Sequence, residues 1–149
     1  GPNLDAPNGG AEGVVVFDKR CVYQGRQVCN ARIEMKNGRA EKVEADEGEE
    51  FLIAMLDQDE GARRIGEVAF GTNRAVTQAT GSILFDEKMG GTFHLAFGAG
   101  YPETGNTNTS GLHWDLIAGL GEGSCVTVNG EPLCVDGTFV GLPPEVDWI

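Results

Sequence analysis

Gln27-Val-Cys-Asn-Ala-Arg-Ile-Glu-Met35 and Arg39-Ala-Glu-Lys-Val-Glu-Ala45 flank Asn37-Gly38, and they read as two strands joined by a tight turn. Asn-Gly supplies two consecutive residues that tolerate positive φ, which a two-residue hairpin loop requires. Upstream, residues 14–17 read as a buried strand, and residues 1–12, rich in Gly, Pro and Asn, as irregular. Downstream, residues 48–65 form the one convincing helical segment. Phe51, Leu52, Met55 and Leu56 recur at three- and four-residue spacing, acidic residues occupy the first turn, and Gly61 is expected to divide the helix. Short strands follow near 67–71, 92–97, 112–118, 124–128 and 131–135, separated by glycine-rich turns. Strands, one helix and strands again indicate an α+β fold, without internal repeats or low-complexity tracts.

The chain has 149 residues, enough for one domain with a real core. Its formal charge of −12 and pI near 4.4 argue against nucleic acid and anionic membrane surfaces, which need clustered Lys and Arg, and favour neutral or cationic partners. No apolar run reaches the roughly 18 residues of a spanning helix, and the first residues lack the charged and apolar regions of a signal peptide, so a cytoplasmic protein is expected. Gly1-Pro2 reads as a protease scar from a purification tag, with native sequence expected from about Asn3. The expected division is a scar and irregular segment over 1–12 and one domain over 13–149.

Four cysteines form two symmetric pairs. Cys125 and Cys134 are equidistant from Asn129-Gly130, which places them opposite each other at a non-hydrogen-bonded pair, a register that also suits Pro132. Cys21 and Cys29 are symmetric about Gly25, with Gln24-Gly25-Arg26 as the loop. Both pairs are candidate disulfides. Free thiols are the alternative, because directly opposed strand cysteines make strained bridges and intracellular enzymes keep them reduced.

Both histidines of the chain fall in one region, His94-Leu-Ala-Phe-Gly-Ala-Gly-Tyr101-Pro-Glu103 and His113-Trp-Asp115. His113 and Asp115 stand two residues apart, so a strand presents both on one face, as a metal site requires. His94 points away from its neighbours Phe93 and Leu95. Each also has a structural reading: a packed strand histidine for His113, core filler for His94, a solvated strand start for Glu67 and a half-buried turn residue for Tyr101. Glu87 and Lys88 read either as a surface pair or as support for the site.

Five blocks in order carry a resemblance: Gly66-Glu67-Val-Ala-Phe-Gly-Thr-Asn73, Thr80-Gly-Ser-Ile-Leu-Phe-Asp-Glu-Lys88, Gly90-Gly-Thr-Phe-His94-Leu-Ala-Phe-Gly98, Tyr101-Pro-Glu-Thr-Gly105 and His113-Trp-Asp115. Together they resemble the C-terminal domain of the aminopeptidase T/S family of metal-dependent leucyl aminopeptidases, or thermophilic metallopeptidases. The resemblance implies a strongly curved mixed β-sheet with hairpins and one main helix. It further implies a two-metal centre with Glu67, His94, His113 and Asp115 as ligands, and Tyr101 reaching the metals or the reacting carbonyl. A further ligand, a glutamate upstream of residue 13, would correspond to Glu12 in one alignment, whereas another places Pro2 there. The resemblance also implies a homodimer.

The expected chemistry is removal of an N-terminal residue from a small peptide by a water that one or two Zn, Mn or Co ions activate. The same His94, His113 and Asp115 also compose the two-histidine-one-carboxylate set of a mononuclear non-haem iron oxygenase acting on a small molecule, since ring-cleaving dihydroxypyridine dioxygenases resemble this fold. A non-catalytic binding or assembly domain is the third reading.

Overall fold

The computed structural model describes residues 10–73, 86 and 88–140; residues 1–9, 80–85 and Glu87, on which expectations above fall, lie outside the described residues. Asn37 (φ 51°) and Gly38 (φ 73°) turn the chain between β4 (Ala31–Lys36) and β5 (Arg39–Glu44), as the dipeptide predicts. Ala31, Ile33 and Met35 are buried while Arg32, Glu34 and Lys36 are exposed, the period of two expected where one sheet face covers a core. β1 (Gly13–Phe17) pairs with the other side of β4, giving the antiparallel order β1-β4-β5. Within residues 10–12, the described part of the N-terminal segment, Ala11 O accepts the Gly38 amide over 3.0 Å.

The run expected from Gln27 is divided. β2 (Cys21–Tyr23) and β3 (Arg26–Val28) form their own hairpin across Gln24 (φ 49°) and Gly25 (φ 74°), a two-residue loop instead of three. That loop shifts the register by one, so Cys21 faces Val28 and Cys29 bridges to Glu47. Asn30 (φ 50°) then redirects the chain into β4.

α1 covers only Glu49–Leu56 and buries Phe51, Leu52 and Leu56. Glu49 and Glu50 occupy its first turn, and Glu49 Oε2 accepts the Ala45 amide at 2.9 Å. The helix ends at Asp57, earlier than Gly61. Arg63 bonds Asp57 (2.6 Å) and Ala40 O (2.7 Å), holding the following residues in turns against β5.

β6 (Ile65–Gly71), β7 (Thr92–Gly98) and β8 (His113–Gly119) form a second antiparallel sheet in that order, and a parallel bridge joins Asn73 to Met89. On its inner face Phe97 opposes Trp114, Leu95 opposes Leu116 and Phe93 opposes Ala118. Trp114, 1% exposed, stacks on Tyr23 (5.0 Å) and meets Phe51 (5.7 Å), so it joins this sheet to β2 and α1. Phe17 meets Phe97 edge-on at 6.5 Å and joins β1 to β7. Each such side chain contributes about 1.5–3 kcal/mol through burial.

β9 (Cys125–Val128), β10 (Glu131–Val135) and β11 (Thr138–Phe139) form a third sheet. Asn129-Gly130 turns as expected, but a bulge between Pro132 and Cys134 sets Cys134 opposite Val126 and Cys125 opposite Val135. One extra residue sends the two sulfurs to opposite faces, Cys125 exposed and Cys134 buried. All four cysteines are free thiols, and neither expected pair is brought face to face. Burial pushes the Cys21 thiol up to about 11.

Candidate metal centre

The second sheet turns Trp114 and Leu116 inward and therefore His113 and Asp115 outward. Ala96 lies opposite Asp115 on one side and Glu67 on the other, so Glu67, Ala96 and Asp115 make one row across three strands. His94 is one pleat to one side of that row, and His113 one pleat to the other. With only a methyl group between them at Ala96, the two carboxylates can lean together.

The resulting geometry is two by two. His94 Nε2 lies 3.5 Å from Glu67 Oε1 and 3.7 Å from Asp115 Oδ1, while His113 Nε2 lies 3.7 Å from Glu67 Oε2 and 3.8 Å from Asp115 Oδ2. These separations are too long for good hydrogen bonds. They are close to the roughly 3.0–3.4 Å between donors that share an ion at about 2.1 Å. Ligand atoms of Glu67, His113 and Asp115 all fall within 4.8 Å of one another.

The histidines are prepared differently. His113 Nδ1 donates to Ala99 O at 2.8 Å, which leaves the lone pair on Nε2 facing the carboxylates, the tautomer a metal ligand needs. His94 is 5% exposed, and its Nδ1 is buried without a hydrogen-bond partner among the described residues. A divalent cation fits this donor set, since imidazole nitrogens with two carboxylates suit Zn, Mn or Co.

A bulge aims Glu67. Ile65 opposes Phe97 and Glu67 opposes Ala96, so β6 advances two residues while β7 advances one. Ile65 thus keeps the inner face and Glu67 takes the outer one. Gly66 is the extra residue, and a Cβ there would stand 2.5 Å from Gly98 O and closer still to Ala99 O. Sequence reading misses both this bulge and the role of Ala96. A glycine immediately before a candidate ligand is the one signal that points to the former.

Tyr101 is 54% exposed, with its ring edge-on to His113 at 5.6 Å between centroids. Its loop is anchored by amide side chains. Asn106 Nδ2 donates to Gly66 O (3.1 Å), Asn108 Nδ2 to Gly98 O (2.6 Å) and Gly61 O (2.9 Å), and Asp59 accepts from Ser110 Oγ and Gly111 N at 2.9 Å each. The last two bonds hold the Asp59 carboxyl below its usual range. A cleft of about 360 Å³ opens between this loop and β6, lined by Glu67, Val68, Tyr101 and Asn106 among others. Glu12 is not brought to the site: its Oε1 accepts the Asn37 amide at 2.8 Å. Lys88 is exposed.

The sequence profile of the thermophilic metalloprotease (M29) family matches residues 6–139. The chain is 37% identical to aminopeptidase T of Thermus thermophilus and 34% identical to aminopeptidase T of Thermus aquaticus, each over 93% of this chain and 36% of the relative. Among solved structures it resembles wild-type AmpT from Thermus thermophilus, with a TM-score of 0.73 and 31% identity over 87% of this chain and 36% of that one. The 2,5-dihydroxypyridine dioxygenase of Pseudomonas putida KT2440 shares the fold, with a TM-score of 0.66 at 15% identity over 89% of this chain and 41% of that one. No helix among the described residues is long and apolar enough to cross a membrane.

Proposed function

The chain belongs to the thermophilic metalloprotease (M29) family, and on that premise we propose that it carries the metal-binding part of an aminopeptidase-type hydrolase. Glu67, His94, His113 and Asp115 would hold the divalent metal, and the reaction would remove N-terminal residues from small peptides. The observation that carries this reading is the two-by-two geometry, in which each carboxylate turns one oxygen to each imidazole. It supports a site for two ions, which Glu67, Asp115, His94 and His113 would hold between them. When bound, such ions lower the pKa of a coordinated water and polarise a carbonyl.

The protein's own groups have distinct parts. Ala99 O keeps the His113 proton on Nδ1 and so holds the ring in register. Glu67 and Asp115 would offset part of the charge of the bound ions. Tyr101, exposed beside His113, would donate its hydroxyl proton in a hydrogen bond to the oxygen on which charge develops. The chain spans 36% of the length of the relatives named above, and a partner copy in a cytoplasmic homodimer would supply the facing wall of the cleft. An iron oxygenase of the two-imidazole type uses one carboxylate, whereas here both Glu67 and Asp115 lie within 3.8 Å of each imidazole, a second carboxylate that favours the peptidase reading.

Elemental analysis of the purified, reconstituted protein tests the reading. About two Zn, Mn or Co per chain is expected, with release of leucine from leucyl peptides and loss of metal in a folded His113→Ala variant. One Fe per chain would favour the oxygenase, and no metal after reconstitution would leave a binding or assembly domain.

A further inference from the structure

β6 is the outer strand of its sheet, and among the described residues no strand pairs with its second edge between Glu67 and Phe70. The ladder fixes which backbone groups face that edge. Ala99 N donates to Leu112 O, so alternation makes Phe97–Trp114 and Leu95–Leu116 the hydrogen-bonded pairs of β7 with β8. Ala96 and His94 then bond to Glu67 and Ala69 of β6, and the N–H and C=O of Val68 and Phe70 turn outward.

This open edge is closed at both ends. Asn106 Nδ2 occupies the carbonyls of Ile65 (3.4 Å) and Gly66 (3.1 Å) at its start. At its far end Asn73 N donates to Lys88 O (2.9 Å) and Gly90 N to Asn73 O (2.8 Å). Between them the cleft of about 360 Å³ runs from Val68 to Glu67 and Tyr101.

We propose that this edge binds the substrate as an added strand, with an extended peptide pairing to the outward N–H and C=O of Val68 and its N-terminus lying toward the candidate metal centre. The inference rests on the aminopeptidase reading above. Main-chain pairing would recognise a peptide whatever its side chains, and would distinguish it from amines that lack a peptide backbone. The span from Val68 to Phe70 is about 7 Å at roughly 3.4 Å per residue, which suits two or three substrate residues and favours short peptides.

The test uses ¹⁵N-labelled, zinc-reconstituted protein and tetraleucine whose first peptide bond is reduced to a methylene amine, so that it is not cleaved. Analogues N-methylated at the third or fourth residue each lose one main-chain donor. Saturable shifts of the Val68 and Phe70 amides are expected. At least one analogue should bind about fivefold more weakly, the effect of one hydrogen bond. Val68→Pro, which deletes the outward N–H, should weaken the parent peptide similarly, while Val68→Ala stays within about twofold. If Val68→Pro fails to fold, the methylated analogues decide. Unchanged affinity for both analogues would overturn the added strand and leave the aminopeptidase reading standing, whereas no binding of any peptide by the zinc-loaded protein would overturn both. Shifts at Val68 and Phe70 that follow protein concentration instead of peptide would assign the edge to a second copy and also overturn the proposal.

Discussion

Replacing Gly66 by Ala should damage the fold and the candidate metal site together. The added Cβ would stand 2.5 Å from Gly98 O, and real Cβ contacts essentially never fall below 3.0 Å, so that carbonyl must retreat by about 0.5 Å. Ala99 O is closer still and must move further. Neither atom belongs to a flexible side chain, so the expected cost is that of overpacking, about 2 kcal/mol, or about 4–8 °C in Tm for a chain of this size. The second effect is specific. Ala99 O is the acceptor that holds His113 Nδ1 at 2.8 Å, and disturbing such a support typically lowers metal affinity by about 10–100-fold. Two measurements separate the effects: thermal unfolding of the metal-free protein, and zinc affinity by competition with a chromophoric chelator below the transition. Gly48→Ala is the control, because its Cβ would meet Gln27 O in a residue at φ 76°, away from the four candidate ligands. Gly48→Ala should lower Tm by a similar amount and leave zinc affinity unchanged. Equal loss of zinc in both variants, or wild-type affinity in Gly66→Ala, would refute the claim that this glycine acts through the carbonyl that orients His113.

Ala96→Leu should fill the floor of the site without replacing a ligand: zinc binding is expected to fall by more than about tenfold while the circular dichroism spectrum is retained, and unchanged zinc affinity would show that the row Glu67-Ala96-Asp115 is not the floor. The Asp57 carboxyl is held below its usual range by its hydrogen bond from Arg63, and Asp59 by its bonds from Ser110 and Gly111. A depressed folded pKa gives stability that is present above the unfolded value of about 3.9 and lost as pH falls through the folded one. The Tm deficit of an Asp57→Asn, Asp59→Asn protein relative to wild type should therefore be largest near neutrality and narrow as pH falls below the unfolded value of about 3.9, and a deficit independent of pH would contradict this. Iodoacetamide at pH 8 should alkylate exposed Cys125 first and leave Cys21 intact, since burial pushes its thiol up to about 11. Mass spectrometry of the digested protein reads the order.

Local chemistry made most strands legible, because the relevant signals act over a few residues. Asn37-Gly38 and Asn129-Gly130 both turn with positive φ at both positions, as the dipeptide demands. Asp136 (φ 48°) and Gly137 (φ 74°) do the same and create β11, which composition around residue 135 does not announce but the dipeptide does. Registers were less legible. Both cysteine pairings assume symmetric ladders, and each fails by one residue, through a two-residue loop at Gln24-Gly25 and through the bulge after Pro132. The helix expectation fails for a different reason. Residues 57–64 have helical composition, but Arg63 draws the chain back to Asp57 and Ala40, and Asn108 takes the Gly61 carbonyl, so tertiary hydrogen bonds override local propensity.

At the candidate site, the period of two places His113 and Asp115 together without help from any other element. Resemblance supplied Glu67 and His94, and only the sheet register explains why they meet the other two. Ile65 and Glu67 are two residues apart and would share a face in a regular strand, so a regular β6 would turn either Ile65 to the site or Glu67 to the core. The bulge at Gly66 resolves that conflict. The same alternation that turns Asp115 outward turns Trp114 inward onto Tyr23 and Phe51, so the aromatic core and the carboxylate pair are opposite faces of one ladder. A slip of one residue in β8 would expose Trp114 and bury His113 and Asp115, losing the core and the site at once. The burial that stabilises the fold therefore also fixes the register that the chemistry needs.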